Sequence, residues 1–245
     1  MFKEYPLIVA ANRDERYDRP SAAPDVWPTK PGILAGKDLL AGGTWLGINE
    51  HGFLVGILNR RLDSEPKVSF STRSRGLLCL DLLRLGCAAE ARNWIGRREE
   101  TYQPFTVLFA DPREAWVAYN QGREVKTRKL NQGLHVFSNA AEFEVKSEKV
   151  DRAYLRFTRL VEEIRPDTRD EAVWVRSLHA VLGDHTVGNG STDPREAICV
   201  HGDISGTVSA TIIIYSQAAS RCYAFNCPGP PCQSAFGQAF ALAIR

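Results

Sequence analysis

The 245-residue chain is long enough for one large domain or two small ones, and we expect a single domain over residues 1–245. Its 31 basic and 29 acidic residues are interspersed and leave a formal net charge of +2. The sequence therefore shows no basic patch that would bind nucleic acid or a membrane surface. The sequence contains neither a secretory signal nor an apolar run of the roughly 18 residues that a membrane span needs, so a cytoplasmic protein is expected.

The first predicted strand runs directly into polar side chains, within residues 6–15. Because successive side chains of a strand point to opposite faces, Asn12 and Asp14 share one face while Arg13 and Glu15 share the other. An amide and a carboxylate therefore converge at the end of the strand. The alternative is a solvated turn in which the charges pair weakly.

The next segments predict coil, a hairpin and two helices. Residues 20–31 are rich in proline and are expected to be irregular coil. Strands at 44–49 and 53–58 flank a short turn, which is typical of a hairpin. Apolar periodicity then predicts helices over 77–85 and 88–95, which we expect to pack on a sheet.

The rest of the chain alternates again between strands and helices. Short strands are predicted at 105–110, 115–119, 125–130 and 135–137, before an amphipathic helix over 146–164 and a second helix over 170–182. The last predicted strands are 197–200, 209–215 and 221–225. Hairpins grouped between helix pairs indicate an α/β (α+β) fold with largely antiparallel sheets.

The cysteines leave two interpretations open. Cys222, Cys227 and Cys232 recur every five residues, and His201 follows Cys199 by two. This pattern is compatible with a structural zinc site, but such sites usually contain Cys-x2-Cys pairs, which the sequence lacks. Buried or free thiols in a reducing compartment are favoured, and no metal or other cofactor is expected.

Several motifs together resemble a known family. Residues 9–20 read Val-Ala-Ala-Asn-Arg-Asp-Glu-Arg-Tyr-Asp-Arg-Pro, residues 34–38 Leu-Ala-Gly-Lys-Asp, and residues 42–48 Gly-Gly-Thr-Trp-Leu-Gly-Ile. With Ser138-Asn139 and the Gly-Thr-Val-Ser-Ala-Thr of 206–211, the chain resembles the family named for its Asn-Arg-Asp-Glu (NRDE) motif, also called the transport and Golgi organisation protein 2 family. The resemblance implies the four-layer αββα sandwich of N-terminal-nucleophile hydrolases.

A more distant resemblance, to the bile-salt hydrolase and penicillin V acylase branch of that fold, implies roles for individual residues. Asp14 matches the Asp that holds the amine and thiol of the nucleophile. The backbone N–H of Asn59 and the side chain of Asn139 match the two donors to the oxyanion. The residues assigned to substrate binding are Asn12, Arg13 and Trp45. From the residues alone, turn capping is the alternative for both oxyanion-site asparagines, and packing is the alternative for the tryptophan.

The sequence also departs from the resemblance. In that family a Met-Cys start lies upstream of the first strand, and removal of Met exposes the nucleophilic Cys. This sequence begins Met1-Phe2-Lys3, has no Cys before Cys79, and carries Thr211 where the hydrolase branch has an arginine. Either a Cys lies upstream in the gene product, or the chain is a truncated or non-catalytic member.

Two functions follow from the resemblance. The first is hydrolysis or acyl transfer on a small non-peptide amide or ester. The alternative is non-catalytic binding and trafficking of haem, an acyl-lipid or acyl-CoA, which the eukaryotic relatives suggest. In both cases the partner is a small molecule, with no nucleic acid and no membrane span.

Overall fold

The structure, a computed structural model, describes residues 2–60, 72–121, 123–139, 147–165, 167–188 and 190–245. The strands formed in these residues are β1 (Leu7–Arg16), β2 (Ser21–Trp27), β3 (Ile33–Asp38), β4 (Leu46–Asn49), β5 (Leu54–Asn59), β6 (Phe105–Ala110), β7 (Ala115–Gln121), β8 (Glu124–Leu130), β9 (Ser205–Ser216), β10 (Arg221–Cys227) and β11 (Phe240–Ala243). The helices are α1 (Arg75–Leu83), α2 (Ala88–Ile95), α3 (Glu148–Glu163) and α4 (Glu171–Leu182), and a 3-10 turn spans Pro194–Glu196.

The first of two compact units comprises residues 1–20, 133–137 and 146–241. Its sheet has the strand order β1-β9-β10-β11, and β9 pairs antiparallel with both β1 and β10. Helix α4 packs against β1 and β9, and α3 packs against α4. The core of this unit includes the fully buried side chains of Trp174, Ile212 and Ile214. The alternating apolar residues of β9 thus explain why the helix pair covers one face of the sheet.

The second unit comprises residues 21–132, 138–145 and 242–245. Its seven-stranded sheet runs from β2 to β8 in chain order, and every neighbouring pair is antiparallel. Helix α1 packs on β4 and β5, and α2 packs on β6 and β7. The buried core includes Phe53, Phe105 and Phe109. Both the predicted hairpin, formed by β4 and β5, and the prediction of antiparallel sheets are confirmed.

The prediction of coil over residues 20–31 is wrong, because β2 occupies Ser21–Trp27. Proline lacks the N–H that a central strand needs, but β2 is an edge strand, and in the described part of the chain it pairs with β3 alone. Pro24 also lies where the register shifts between Ala22 and Asp25, so its missing N–H leaves no ladder bond broken. The sheet therefore accepts proline at this position.

Two other predicted strands are not formed. Residues 135–137 are irregular in the structure, and Val136 instead packs on the core of the first unit. Residues 197–200 are irregular. The carbonyl of Val200 accepts from the Thr207 backbone N–H, but its own N–H bonds to the Thr207 hydroxyl and so cannot continue a backbone ladder. None of the helices in the described residues is long and apolar enough to cross a bilayer.

Candidate functional site

Asp14 lies near the end of β1, where the pairing with β9 is irregular. The register shifts between Arg13 and Asp14, so that Asp14 lies opposite Thr207. The Thr207 hydroxyl donates a hydrogen bond of 2.7 Å to Asp14 Oδ1 and accepts one of 2.8 Å from the backbone N–H of Val200. One buried hydroxyl thus connects the carboxylate to the segment that precedes β9.

Asn12 holds the same segment by a different contact. Its Nδ2 donates to the carbonyl of Leu182, at 2.9 Å, and to that of Ile198, at 3.0 Å. The amide therefore ties the end of α4 to the chain just before Val200. Its Oδ1 is buried and has no hydrogen-bond partner within the described part of the chain. The two N–H bonds of this side chain are structural.

Arg13 and Trp45 occupy packed positions. Arg13 lies opposite Ser209 in the ladder, is 8% exposed and interacts with neighbouring groups of the protein, as a buried guanidinium must. The Trp45 ring lies against Gly36, where a Cβ would come within 2.8 Å of its Cη2 atom, and the Trp45 carbonyl accepts from the Ile57 N–H at 2.8 Å. Packing of the ring on β3 and a backbone bond to β5 account for these two contacts of Trp45.

The two asparagines assigned to the oxyanion site lie in the second unit. Asn59 is the last residue of β5, lies opposite Phe105 and is exposed. Asn139 is half-buried in an irregular segment. The structure thus brings Asn12 and Asp14 together at the end of β1 and places the asparagines at a strand end and in a loop.

A cluster of cysteine and histidine side chains lies in the first unit, where the fold brings His185 to Cys199, His201 and Cys232 of the sequence pattern. The ligand atoms of His185, His201 and Cys232 all lie within 4.8 Å of one another. Cys232 Sγ is 3.1 Å from His201 Nε2, and Cys199 Sγ is 3.6 Å from Cys232 Sγ and 3.7 Å from His201 Nε2. We call these four residues the Cys/His cluster.

Only one of the three evenly spaced cysteines belongs to this cluster. Cys222 is buried within β10, where desolvation raises the pKa of its thiol to about 12. The Cys227 thiol donates to the carbonyls of Gly229 and Ser234. Burial likewise raises the pKa of Cys199, to about 11, so that this residue is a neutral thiol at neutral pH in the protein alone.

The sequence contained one local signal for the cluster. Cys199 and His201 are two residues apart, which places their side chains on one side of an extended segment. The approach of His185 and Cys232 depends on tertiary contacts that no spacing reveals. The cluster is also linked to the end of β1, since Val200, between Cys199 and His201, bonds to the Thr207 hydroxyl that holds Asp14.

The fold is shared with several hydrolases of known structure. Penicillin V acylase from Agrobacterium tumefaciens superposes with a TM-score of 0.62 at 15% identity, over 96% of this chain and 82% of that one. A variant of the conjugated bile acid hydrolase from Clostridium perfringens gives a TM-score of 0.57 at 11% identity, over 96% and 88%. The Caenorhabditis elegans N-acylethanolamine-hydrolyzing acid amidase gives 0.52 at 15% identity, over 84% and 91%. The expected N-terminal-nucleophile hydrolase-like fold is therefore confirmed.

Sequence comparison identifies the family. The transport and Golgi organization protein 2 homologue of Bos taurus is 42% identical over 82 residues, which are 32% of this chain and 29% of the relative. The transport and Golgi organization 2 homologue of Mus musculus is 33% identical over 144 residues, which are 56% of this chain and 51% of the relative. The alignments thus span about half or less of the length of these relatives. The profile of the family Transport and Golgi organisation 2 matches residues 2–224, and the chain therefore belongs to this family.

Proposed function

We propose that this protein is a hydrolase or acyltransferase that acts on a small non-peptide amide or ester. The observation that carries the proposal is the fixed Asp14 carboxylate at the end of β1, in a fold shared with proteins named as an acylase, a hydrolase and an acid amidase. A carboxylate offers about four acceptor positions. The Thr207 hydroxyl occupies one of them, which leaves capacity to accept hydrogen bonds from the amine of a nucleophilic residue.

The chemistry is acyl transfer through a covalent intermediate. The thiol of an N-terminal Cys gives its proton to its own α-amine, which Asp14 holds, and the thiolate attacks the acyl carbon. As the bond from that carbon to the leaving amine or alcohol breaks, the ammonium group returns the proton to the leaving group. Water or another acceptor then takes the acyl group from the Cys sulfur. The resemblance alone assigns the backbone N–H of Asn59 and the side-chain amide of Asn139 as donors to the oxyanion of such a reaction. Each such donor typically contributes about 3 kcal/mol to the stability of the transition state.

The nucleophile is the first part of the proposal to test, because the printed sequence contains no Cys before Cys79. The measurement is the intact mass and N-terminal sequence of the protein purified from its native source. We expect a mature chain that begins with Cys. A mature chain that begins at Met1 or Phe2 would contradict the proposal, and binding of haem and acyl-CoA, the ligands of the alternative carrier function, would then be measured.

The role of Asp14 is tested by Asp14→Asn. Asparagine still accepts from the Thr207 hydroxyl through its Oδ1, so we expect the free energy of unfolding to change by less than about 1 kcal/mol. It cannot stabilise an ammonium group as a carboxylate does, and we expect kcat/KM for N-acyl and ester substrates to fall by about 100-fold or more.

The matched control is Glu15→Gln, one residue along the strand. Glu15 pairs with Arg19 at 3.6 Å on the partly exposed edge of the site, and its replacement should leave both quantities nearly unchanged. If Asp14→Asn lost several kcal/mol of stability, or kept full turnover, Asp14 would have a structural role and the proposal would fail.

A further inference from the structure

We propose that the Cys/His cluster of the first unit is a zinc site, with His185, His201, Cys232 and Cys199 as its four ligands. The first three already bring their ligand atoms within 4.8 Å of one another, and Cys199 Sγ lies beside two of them. The site is separate from the proposed acyl-transfer chemistry, since none of its ligands takes part in that reaction.

The distances among three of the four proposed ligand atoms agree with tetrahedral coordination. Zn–S bonds of about 2.3 Å and Zn–N bonds of about 2.0 Å place two sulfurs roughly 3.8 Å apart, and a sulfur and a nitrogen roughly 3.5 Å apart. The Sγ atoms of Cys199 and Cys232 are separated by 3.6 Å, and His201 Nε2 is 3.7 Å and 3.1 Å from them. Three of the ligand atoms therefore already form one face of such a tetrahedron to within a few tenths of an ångström.

The donor atoms select the class of metal. Two thiolates and two imidazoles form a soft to borderline set that binds Zn²⁺ in closed structural sites. Ca²⁺ and Mg²⁺ prefer oxygen ligands, which this set does not supply. Binding displaces the thiol protons of Cys199 and Cys232 to solvent and involves no change of oxidation state.

The segments that carry the ligands are held by contacts independent of any metal. The N–H of Cys199 donates to the carbonyl of Asp184 at 2.8 Å, which places His185 next to this strand-like segment. The ring of His179 contacts the carbonyls of Pro231 and Ser234, at 2.7 Å and 3.1 Å, and so clamps the turn that contains Cys232. A prearranged ligand set of this kind loses little conformational entropy on binding the ion.

The unequal exposure of the four side chains indicates the side from which the ion enters. Cys199 is fully buried and Cys232 half-buried, whereas both histidines are exposed. The ion therefore approaches from the histidine side and contacts the buried thiol last. Once bound, it joins three segments that are distant in sequence, around residues 185, 199–201 and 232, and stabilises the stretch that Asn12 and Thr207 fasten to β1.

The experiment measures metal binding directly on the whole chain, reduced and freed of metal by a chelator. Zn²⁺ is titrated against a chromophoric chelator, the bound metal is counted by mass spectrometry, and Co²⁺ serves as the spectroscopic probe. We expect one ion per chain, and a Co²⁺ spectrum with intense tetrahedral d–d bands and thiolate charge-transfer bands. Cys232→Ser and His201→Ala should each weaken Zn²⁺ binding by at least about 100-fold, the upper end of what loss of an outer-shell partner costs.

The controls replace the same residue types away from the cluster. Cys87→Ser, at a half-buried cysteine before α2, and His51→Ala, at an exposed turn histidine, should bind Zn²⁺ as the unaltered protein does. Urea unfolding of the metal-free Cys232→Ser and unaltered proteins should give similar midpoints, which separates lost ligation from misfolding.

Three results would overturn the zinc site. They are a stoichiometry far below one ion per chain, equal affinity of Cys232→Ser and the unaltered protein, and a native protein whose mass lacks two hydrogen atoms because Cys199 and Cys232 are joined in a disulfide. All three are read from metal content, affinity or mass. A failure of the zinc site is therefore distinguishable from a failure of the hydrolase proposal, which is read from turnover.

Discussion

The hydroxyl of Thr207 connects Asp14 to the segment before β9, and the substitution Thr207→Val tests how much this bridge contributes to stability. Valine keeps the shape of threonine and its preference for a strand, so the change removes little besides the hydroxyl. The side chain is 1% exposed, and water cannot replace the lost group without a rearrangement.

The magnitude follows from the two bonds that are lost. A buried backbone N–H at Val200 without an acceptor costs about 2 kcal/mol, and loss of a hydrogen bond to the half-buried Asp14 carboxylate costs about 1.5 kcal/mol. The extra buried methyl group returns about 0.5 kcal/mol. We therefore expect Thr207→Val to lower the free energy of unfolding by about 3 kcal/mol, a large share of the 5–15 kcal/mol that is typical of a domain.

Urea denaturation measures the loss, and amide hydrogen exchange locates it. For an m-value of about 2 to 3 kcal/mol/M the midpoint should fall by about 1 to 1.5 M, and the Val200 amide should exchange much faster than in the unaltered protein. Thr207→Ser keeps the hydroxyl and should recover most of the stability. Thr211→Val, at a buried position of the same strand, should lower the stability clearly less than Thr207→Val does.

The reasoning would be refuted if Thr207→Val and Thr211→Val had equal effects, or if the Val200 amide kept its protection. Either result would mean that the hydroxyl bridge does not hold this segment. A loss of stability shared by Thr207→Ser would instead assign the effect to packing of the methyl group.

Two further predictions concern packing and pH. A Cβ at Gly43 would overlap the backbone carbonyl group of Gly76, so Gly43→Ala should lower the free energy of unfolding by at least about 2 kcal/mol. Gly96→Ala, where a Cβ would meet open space, should be nearly neutral. Thermal unfolding of the two variants measures the difference. Because burial raises the pKa of Cys222, the unfolded chain loses this thiol proton first above about pH 9, and stability falls as pH rises further. Cys222→Ala should make this decline shallower by up to about 1.4 kcal/mol per pH unit, measured by urea unfolding between pH 8 and 10; an unchanged slope would show that Cys222 does not contribute.

The local sequence is sufficient to predict the helices and strands that have clear boundaries. The predicted bounds of α2 and β6 coincide with the observed Ala88–Ile95 and Phe105–Ala110, and α3 lies within its predicted range. Each has a strong apolar pattern that ends at a turn former or a charged residue. Strands β2, β3 and β11 are not evident from the sequence. Pro24 in β2 and Gly36 in β3 break the local pattern, and pairing of these two strands favours their extended backbone, whereas β11 has only four residues.

The candidate site likewise combines features that the local sequence predicts with features that depend on the fold. The sequence predicts that Asn12 and Asp14 lie together, because residues two apart on a strand point to the same face. Their partners Thr207 and Ile198 lie 193 and 186 residues further along the chain and could be found only from the fold. The Cys/His cluster is only partly evident from the sequence for the same reason. The cysteine pattern contains Cys199, His201 and Cys232, but it also includes Cys222 and Cys227, which lie outside the cluster, and it gives no sign of His185.

The edges of the seven-stranded sheet bear on self-association of the protein. An open edge is a template on which a second chain can add a strand and start aggregation. At one edge, Pro24 and the irregular pairing of β2 interrupt the row of donors. At the other, β8 presents the exposed side chains of Lys126, Arg128 and Lys129, whose charges would be brought together by a second copy. Both features disfavour addition of a strand from a second molecule at the two edges of this sheet.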